Sequence, residues 1–272
     1  MKLIRNYMLL CTAVTIFSCA GDKDEKKEVK VELKEEAVVY KEDSTSMDGY
    51  VVYNAALEGK RPVVMVVHEW WGNNVYPKSR AKQLAEMGYL AMAVDLYGNG
   101  ATAEDPVTAG NMAMPFYRDP EMGLKRFEAA LAKIKTYPQA DTSRIAAIGY
   151  CFGGAQVLNY ARLGENLKGV VSFHGNLTTT PLIKEKLKAA ILVCHGAADQ
   201  FVPEQEVAQF KREMDSVKAN YTFKSYAGAT HAFTNKNATA TGQKFNIPIS
   251  YNAAADSTSW EDMKVFFDKI FQ

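Results

Sequence analysis

Apolar positions along the chain fall into two kinds of run. Val63 to Val67, Leu90 to Val94, Ile145 to Ile148, Val170 to Phe173 and Ile191 to Cys194 are short, nearly continuous apolar stretches, the pattern of strands covered on both faces. Elsewhere the apolar residues recur at steps of three and four, as in Val207, Phe210, Met214 and Val217, and again in Met263, Phe266, Phe267, Ile270 and Phe271. That spacing predicts amphipathic helices. Ser259, with Asp262 three residues on, predicts the start of the last one. Strands alternating with helices predict an α/β fold with a mostly parallel central sheet and helices on both faces. Tyr40 to Val52 reads as a short N-terminal antiparallel hairpin turning near Asp48-Gly49. Gly98 to Asp119 is rich in small residues and reads as an irregular insertion over one end of the sheet, a candidate substrate cap.

The first residues follow a different rule. Lys2 and Arg5 precede an apolar run from Tyr7 to Phe17 that is too short to span a bilayer and has the layout of a secretory leader. Residues 1–18 are therefore read as a signal peptide. Ile16-Phe17-Ser18-Cys19 resembles a bacterial lipobox, which implies a lipid anchor on Cys19 and export to the cell envelope, periplasmic or surface-exposed. An ordinary leader with an incidental cysteine is the alternative. Residues 19–45 read as a charged, solvated tether, because Ala20 to Glu36 has little to bury. The folded domain is then expected over residues 46–272, in which Cys151 and Cys194 are the cysteines. Cys194 closes an apolar strand and reads as a small hydrophobe, so no pairing of the two is expected.

At 272 residues, with 47% of them apolar, the chain is long enough to bury one sizeable core without a second domain. Its formal net charge of +1 leaves no basic stripe or acidic field, which argues against nucleic acid or a charged polymer as partner. The expected partner is a small molecule, and the expected state is a monomer or weak oligomer.

The sharpest chemical signal is Gly149-Tyr150-Cys151-Phe152-Gly153-Gly154, between a predicted strand and a predicted helix. This is a nucleophile elbow with cysteine in the place of serine. Glycines on either side leave room for the sharp turn, and the turn aims the Phe152 N–H and the helix N-terminus at a reacting carbonyl. Downstream stand Asp199, after the strand ending His195-Gly196, and His231. Nucleophile, acid, histidine is the chain order of α/β-hydrolases. The imidazole can take the thiol proton, and the carboxylate can orient the ring. His68, His174 and His195 also fall at strand ends and read as satisfied polar groups. Around His68, Glu69 and His174 there is no HxH or HExxH spacing, so no metal is expected, and no cofactor.

These residues resemble the dienelactone hydrolase family, and the likeness runs from about Met47 to the C-terminus. It is carried by His68-Glu69-Trp70-Trp71-Gly72, by Asp95-Leu96-Tyr97 and by Gly149 to Gly154. The resemblance implies an α/β-hydrolase fold and hydrolysis of an ester or lactone through an acyl-cysteine. It implies Cys151, Asp199 and His231 as the triad, Glu69 as a fourth catalytic carboxylate, and Trp70 N–H beside Phe152 N–H in the oxyanion hole. One departure concerns the arginines that hold a lactone's carboxylate. Gly98-Asn99 follows Tyr97 where an arginine is expected, and the loop after His231 offers only Lys236. A neutral ester, another lactone or a thioester fits as well. A peptidase, thioesterase or acyltransferase on the same scaffold stays open, as does a non-catalytic ligand-binding lipoprotein.

Overall fold

The computed structural model describes residues 31–272; the leader, Cys19 and the tether as far as residue 30 lie outside the described residues. One eight-stranded sheet runs through the domain. Its strands are β1 (Leu33–Glu42), β2 (Thr45–Asn54), β3 (Arg61–Val67), β4 (Leu90–Val94), β5 (Ala140–Tyr150), β6 (Gly169–Phe173), β7 (Ala190–Gly196) and β8 (Tyr221–Tyr226), in the order β1-β2-β4-β3-β5-β6-β7-β8. β1 pairs antiparallel with β2, and β2 antiparallel with β4. Every other neighbouring pair is parallel.

The seven helices of the described residues are α1 (Val75–Glu86), α2 (Pro106–Arg118), α3 (Pro120–Ile134), α4 (Phe152–Leu163), α5 (Glu204–Ser216), α6 (Ala238–Phe245) and α7 (Ala253–Ile270). Side chains of β3 alternate between two cores, as the pleat requires. Val63, Met65 and Val67 join Phe127, Leu131 and Val157 of α3 and α4 on one face. Val64 and Val66 join Leu84 of α1 and Met263 and Phe267 of α7 on the other. Burying a side chain of this size stabilises the fold by roughly 1.5–3 kcal/mol, so central strands read as unbroken apolar runs because neither face meets water. Among the described residues no helix is long and apolar enough to cross a membrane.

Four local readings need correction. The tether was expected to reach residue 45, but β1 begins at Leu33 and the compact unit at Val31. In β1, Val38 and Tyr40 are buried while Lys34, Glu35 and Lys41 face outward, so an edge strand with one wet face imitates a solvated linker. The hairpin turns at Asp43-Ser44, where Asp43 takes φ 50, rather than at Asp48-Gly49. Gly49 sits opposite Val38 within the hairpin, and a Cβ there would lie 2.7 Å from the Met92 side chain, so this glycine answers to packing rather than to a turn. The segment from Gly98 to Asp119 is not irregular throughout. Asp105 caps α2 through the N–H groups of Val107 and Thr108, with Pro106 as its first residue, a start signal that outweighs a weak apolar pattern. Lastly, α7 starts at Ala253 behind Asn252, which caps the Ala255 N–H. Ser259 is buried mid-helix and donates back to Asp256 O.

Candidate active site

The C-terminal ends of β3, β5 and β7, together with the loop after β8, converge at one end of the sheet, where open parallel sheets bind ligands. Cys151 stands between β5 and α4 with φ 53 and ψ −115, a left-handed conformation that a β-carbon makes costly. The surrounding contacts hold it there. A Cβ on Gly149 would lie 2.0 Å from Gly153 O, and one on Gly153 would lie 2.3 Å from Val67 O. Glycine at 149 lets the first turn of α4 fold back onto the end of β5, and glycine at 153 lets the same turn press against the end of β3. As the first residue of α4, Phe152 has an N–H with no acceptor inside the helix, and that end of the helix carries its positive pole.

His231 and Asp199 are both buried, and His231 Nδ1 lies 2.9 Å from Asp199 Oδ2. The other carboxylate oxygen of Asp199 accepts the Phe201 N–H at 2.9 Å, which fixes its plane. Nδ1 on the carboxylate leaves Nε2 for the Cys151 side chain, with which His231 also hydrogen-bonds. Burial works against a charge on the imidazole, but Cys151 and Asp199 outweigh it and lift the His231 pKa to about 10. Both neighbours therefore favour a proton on the imidazole.

Glu69, at the start of the loop that follows β3, is 2% exposed. Burial pushes its carboxyl up to about 7, against the smaller opposing pulls of Asn235, His231 and Arg80. Among the described residues its carboxylate accepts a side-chain hydrogen bond from Asn235 Nδ2, to Oε2 at 2.7 Å. A neutral amide rather than a cation thus faces the carboxylate. The turn behind it is closed by Gly72 N–H on Glu69 O, and the Trp70 N–H makes none of the backbone bonds of this loop.

The remaining histidines fall into place by hydrogen-bond bookkeeping. Leu96 N–H donates to His68 Nε2 at 3.3 Å, so the His68 proton is on Nδ1, which donates to Glu69 O at 2.6 Å. Cys151 N–H donates to His174 Nδ1 at 3.1 Å, so the His174 proton is on Nε2, 2.7 Å from Thr234 Oγ1. Burial keeps both rings neutral. His195 packs against Phe223 and does not line the cleft. Cys194 is a buried free thiol in β7. Among the described residues no group of three or more His, Cys, Asp or Glu side chains is arranged to hold a metal.

A cavity of about 210 Å³ opens over Cys151. Its walls are Trp70 and Trp71 from the β3 loop, Gly110, Ala113, Met114 and Tyr117 from α2, Asn176, Phe201 and Ala232 from the strand-end loops, and Ile247 and Ile249 after α6. Glu69 and His231 complete the lining, and among the described residues neither lysine nor arginine is part of it. Lys236 borders a different depression beside Arg80. The α2 segment does wall the site, as the sequence suggested, but as a helix. Sequence reasoning missed Asn235 as the partner of Glu69, and it missed that the polar contacts of His174 join two site loops. Their spacing after β6 and β8 carries no motif.

The sequence profile of the dienelactone hydrolase family matches residues 47–271. A Synechocystis protein named "Putative carboxymethylenebutenolidase" is 26% identical over 252 residues, covering 87% of this chain and 97% of the relative. Among solved structures, a dienelactone hydrolase-like promiscuous phosphotriesterase from metagenomic libraries superposes with a TM-score of 0.82 at 31% identity, over 88% of this chain and 98% of that one. An acylaminoacyl peptidase of Pyrococcus horikoshii shares the fold alone, with a TM-score of 0.62 at 17% identity over 76% of this chain and 39% of that one. With its profile matched from residue 47 to residue 271 and its fold shared almost end to end with a dienelactone hydrolase-like enzyme, the chain belongs to the dienelactone hydrolase family and is a carboxylic ester hydrolase.

Proposed function

We propose that the chain hydrolyses small neutral esters or lactones through an acyl-cysteine on Cys151. The observation that carries this reading is the thiol at a glycine-flanked elbow beside a buried His231–Asp199 pair at 2.9 Å. The Cys151 thiol gives its proton to His231, and the thiolate attacks the acyl carbonyl. The carbonyl oxygen takes up negative charge toward the N–H groups of Phe152 and Trp70. Collapse of the tetrahedral intermediate breaks the bond to the leaving alkoxide, which takes the proton from His231. Neutral again, His231 removes a proton from water, the hydroxide attacks the thioester, and the acid leaves as the thiolate is regenerated. Glu69, with its pKa near neutrality, can hold or release a proton beside this centre. The cavity lining without lysine or arginine supports a neutral substrate over a carboxylate-bearing lactone, whose charge would go unpaired there.

The test is a panel of short p-nitrophenyl esters against a carboxylate-bearing lactone, with Cys151→Ala as control. Turnover of the esters by the wild type, abolished in a folded Cys151→Ala protein, is the expected result. Full activity in that variant would refute the mechanism. We also propose, from Cys19 and its preceding residues, that the protein is exported and lipid-anchored. Palmitate labelling that disappears in Cys19→Ser, with release of the protein from membranes, is expected; an unlabelled wild type would refute it.

A further inference from the structure

His174 is the residue whose bonds the mechanism above leaves unused, and they join two loops that must keep register. Its ring lies between the elbow and the loop that carries His231, with its centroid 5.2 Å from that of His231 and 5.3 Å from that of Phe233. Nδ1 accepts the backbone N–H of Cys151 at 3.1 Å, a hydrogen that the same N–H shares with Phe173 O at 2.9 Å. Nε2–H reaches Thr234 Oγ1 at 2.7 Å, three residues beyond His231.

Thr234 is held in turn from the far side. Its hydroxyl is 2.7 Å from Tyr76 Oη, and its carbonyl accepts from Arg80 at 2.6 Å, while Arg80 also pairs with Asp256 of α7 at 2.6 Å. The next residue, Asn235, is the one that holds Glu69. His174 itself takes φ 44, with its N–H fixed on Cys194 O at 2.9 Å, so the ring is aimed by a strained backbone that the sheet holds in place.

We propose that His174 is a positioning residue for the thiol chemistry. Its imidazole serves as a rigid two-ended spacer that sets the distance between the Cys151 backbone and the His231 loop, and through Thr234 and Asn235 the seat of Glu69. The proposal rests on the acyl-cysteine reading. An imidazole suits the place because its two nitrogens, flanking one carbon, bond outward in widely divergent directions in the plane of a rigid ring, and its neutral form provides one acceptor and one donor. A spacer of this kind acts on the approach of thiol and base, not on the substrate, since His174 is absent from the cavity lining.

The test compares wild type with His174→Phe, His174→Gln and Thr234→Val. Three quantities are measured: turnover of a p-nitrophenyl ester, the rate of Cys151 alkylation by iodoacetamide as a function of pH, and the melting temperature. A ring without nitrogens keeps the volume and loses both bonds. The kcat of His174→Phe is expected to fall on the order of 10–100-fold, as misplacement of reacting groups does, with KM nearly unchanged. Alkylation at neutral pH should slow in parallel, its profile moving to higher pH. Thr234→Val should move both readouts the same way by less, and the effects of His174→Phe and Thr234→Val should not multiply. His174→Gln, whose carboxamide keeps one acceptor and one donor, should recover part of the loss. Where His174→Phe does not fold, Thr234→Val and His174→Gln decide alone.

Wild-type kcat and alkylation in folded His174→Phe, or in folded Thr234→Val, would overturn the proposal. So would a loss confined to KM, or one that only follows the melting temperature. Failure of the acyl-cysteine reading looks different: Cys151→Ala would then keep its turnover, whatever the His174 variants do.

Discussion

Replacing Glu69 by glutamine should make the protein more stable at alkaline pH. The carboxyl is 2% exposed and its pKa is raised from 4.5 to about 7, chiefly by burial. A raised carboxyl pKa means that the folded state holds a proton the unfolded chain has released, so stability is lost as pH rises from 4.5 and the loss is complete above about 7. At about 1.4 kcal/mol per pH unit, the ionised carboxylate costs roughly 3 kcal/mol. Because the group is only 2% exposed, solvent screening does not reduce that figure much. Glutamine has nearly the same shape, keeps an oxygen for Asn235 Nδ2 and cannot ionise. For a domain of this size the gain corresponds to a melting temperature higher by roughly 6–12 °C at about pH 8. At about pH 4, where both carboxyl and amide are neutral, the two proteins should melt nearly together. Differential scanning calorimetry across that range, alongside ester turnover, is the assay, and turnover should fall in the variant. Equal melting temperatures at high pH, or a gap that does not change with pH, would refute the reasoning.

Three further outcomes follow from geometry. Gly153→Ala would place a methyl 2.3 Å from Val67 O, a backbone contact that cannot yield cheaply, so a loss on the order of 3–5 kcal/mol is expected in chemical denaturation. Asp256→Ala would leave the Arg80 guanidinium, which Asp256 pairs at 2.6 Å, buried without its counter-ion, and should cost about 3–5 kcal/mol, read in the same assay. Gly110→Phe would fill much of the cavity over Cys151, which Gly110 lines and where a Cβ on it would meet nothing within 4 Å. It should raise KM for bulky acyl groups far more than for acetyl while leaving the melting temperature within about 2 °C, since the ring enters open space rather than packed core.

Much of the sheet was visible in the sequence because β3 to β7 are covered on both faces, and a strand with no wet side can be built only from apolar residues. Strands with one wet side were not visible in the same way. β1 carries Lys34, Glu35 and Glu36, paired with one another and with Lys82 and Tyr137, so the charges that solvate it also hide it. β8 alternates aromatic with polar residues over Tyr221–Tyr226 and was passed over for the same reason. Helices α2 and α3 were lost because small residues and prolines dilute their periodicity, although Asp105-Pro106 and Asp119-Pro120 are start signals that the chain displays plainly. In the site, the glycine-flanked turn at Cys151 and the strand-end positions of Asp199 and His231 were legible because strained turns and strand ends impose residue types at fixed places. The partnership of Glu69 with Asn235, 166 residues apart, and the bridge from His174 to Thr234 were not. Contacts across such separations depend on the topology of the strands, which local patterns do not encode.

On the proposed reading, chemistry passes through a covalent acyl group on Cys151. Acid quenching of the protein during turnover of a slowly deacylated p-nitrophenyl ester, followed by intact-mass measurement and peptide mapping, tests it most directly. One acyl mass per chain is expected, on the peptide containing Cys151 and absent from Cys151→Ala. Sustained turnover with no adduct, or with the adduct on another residue, would contradict it.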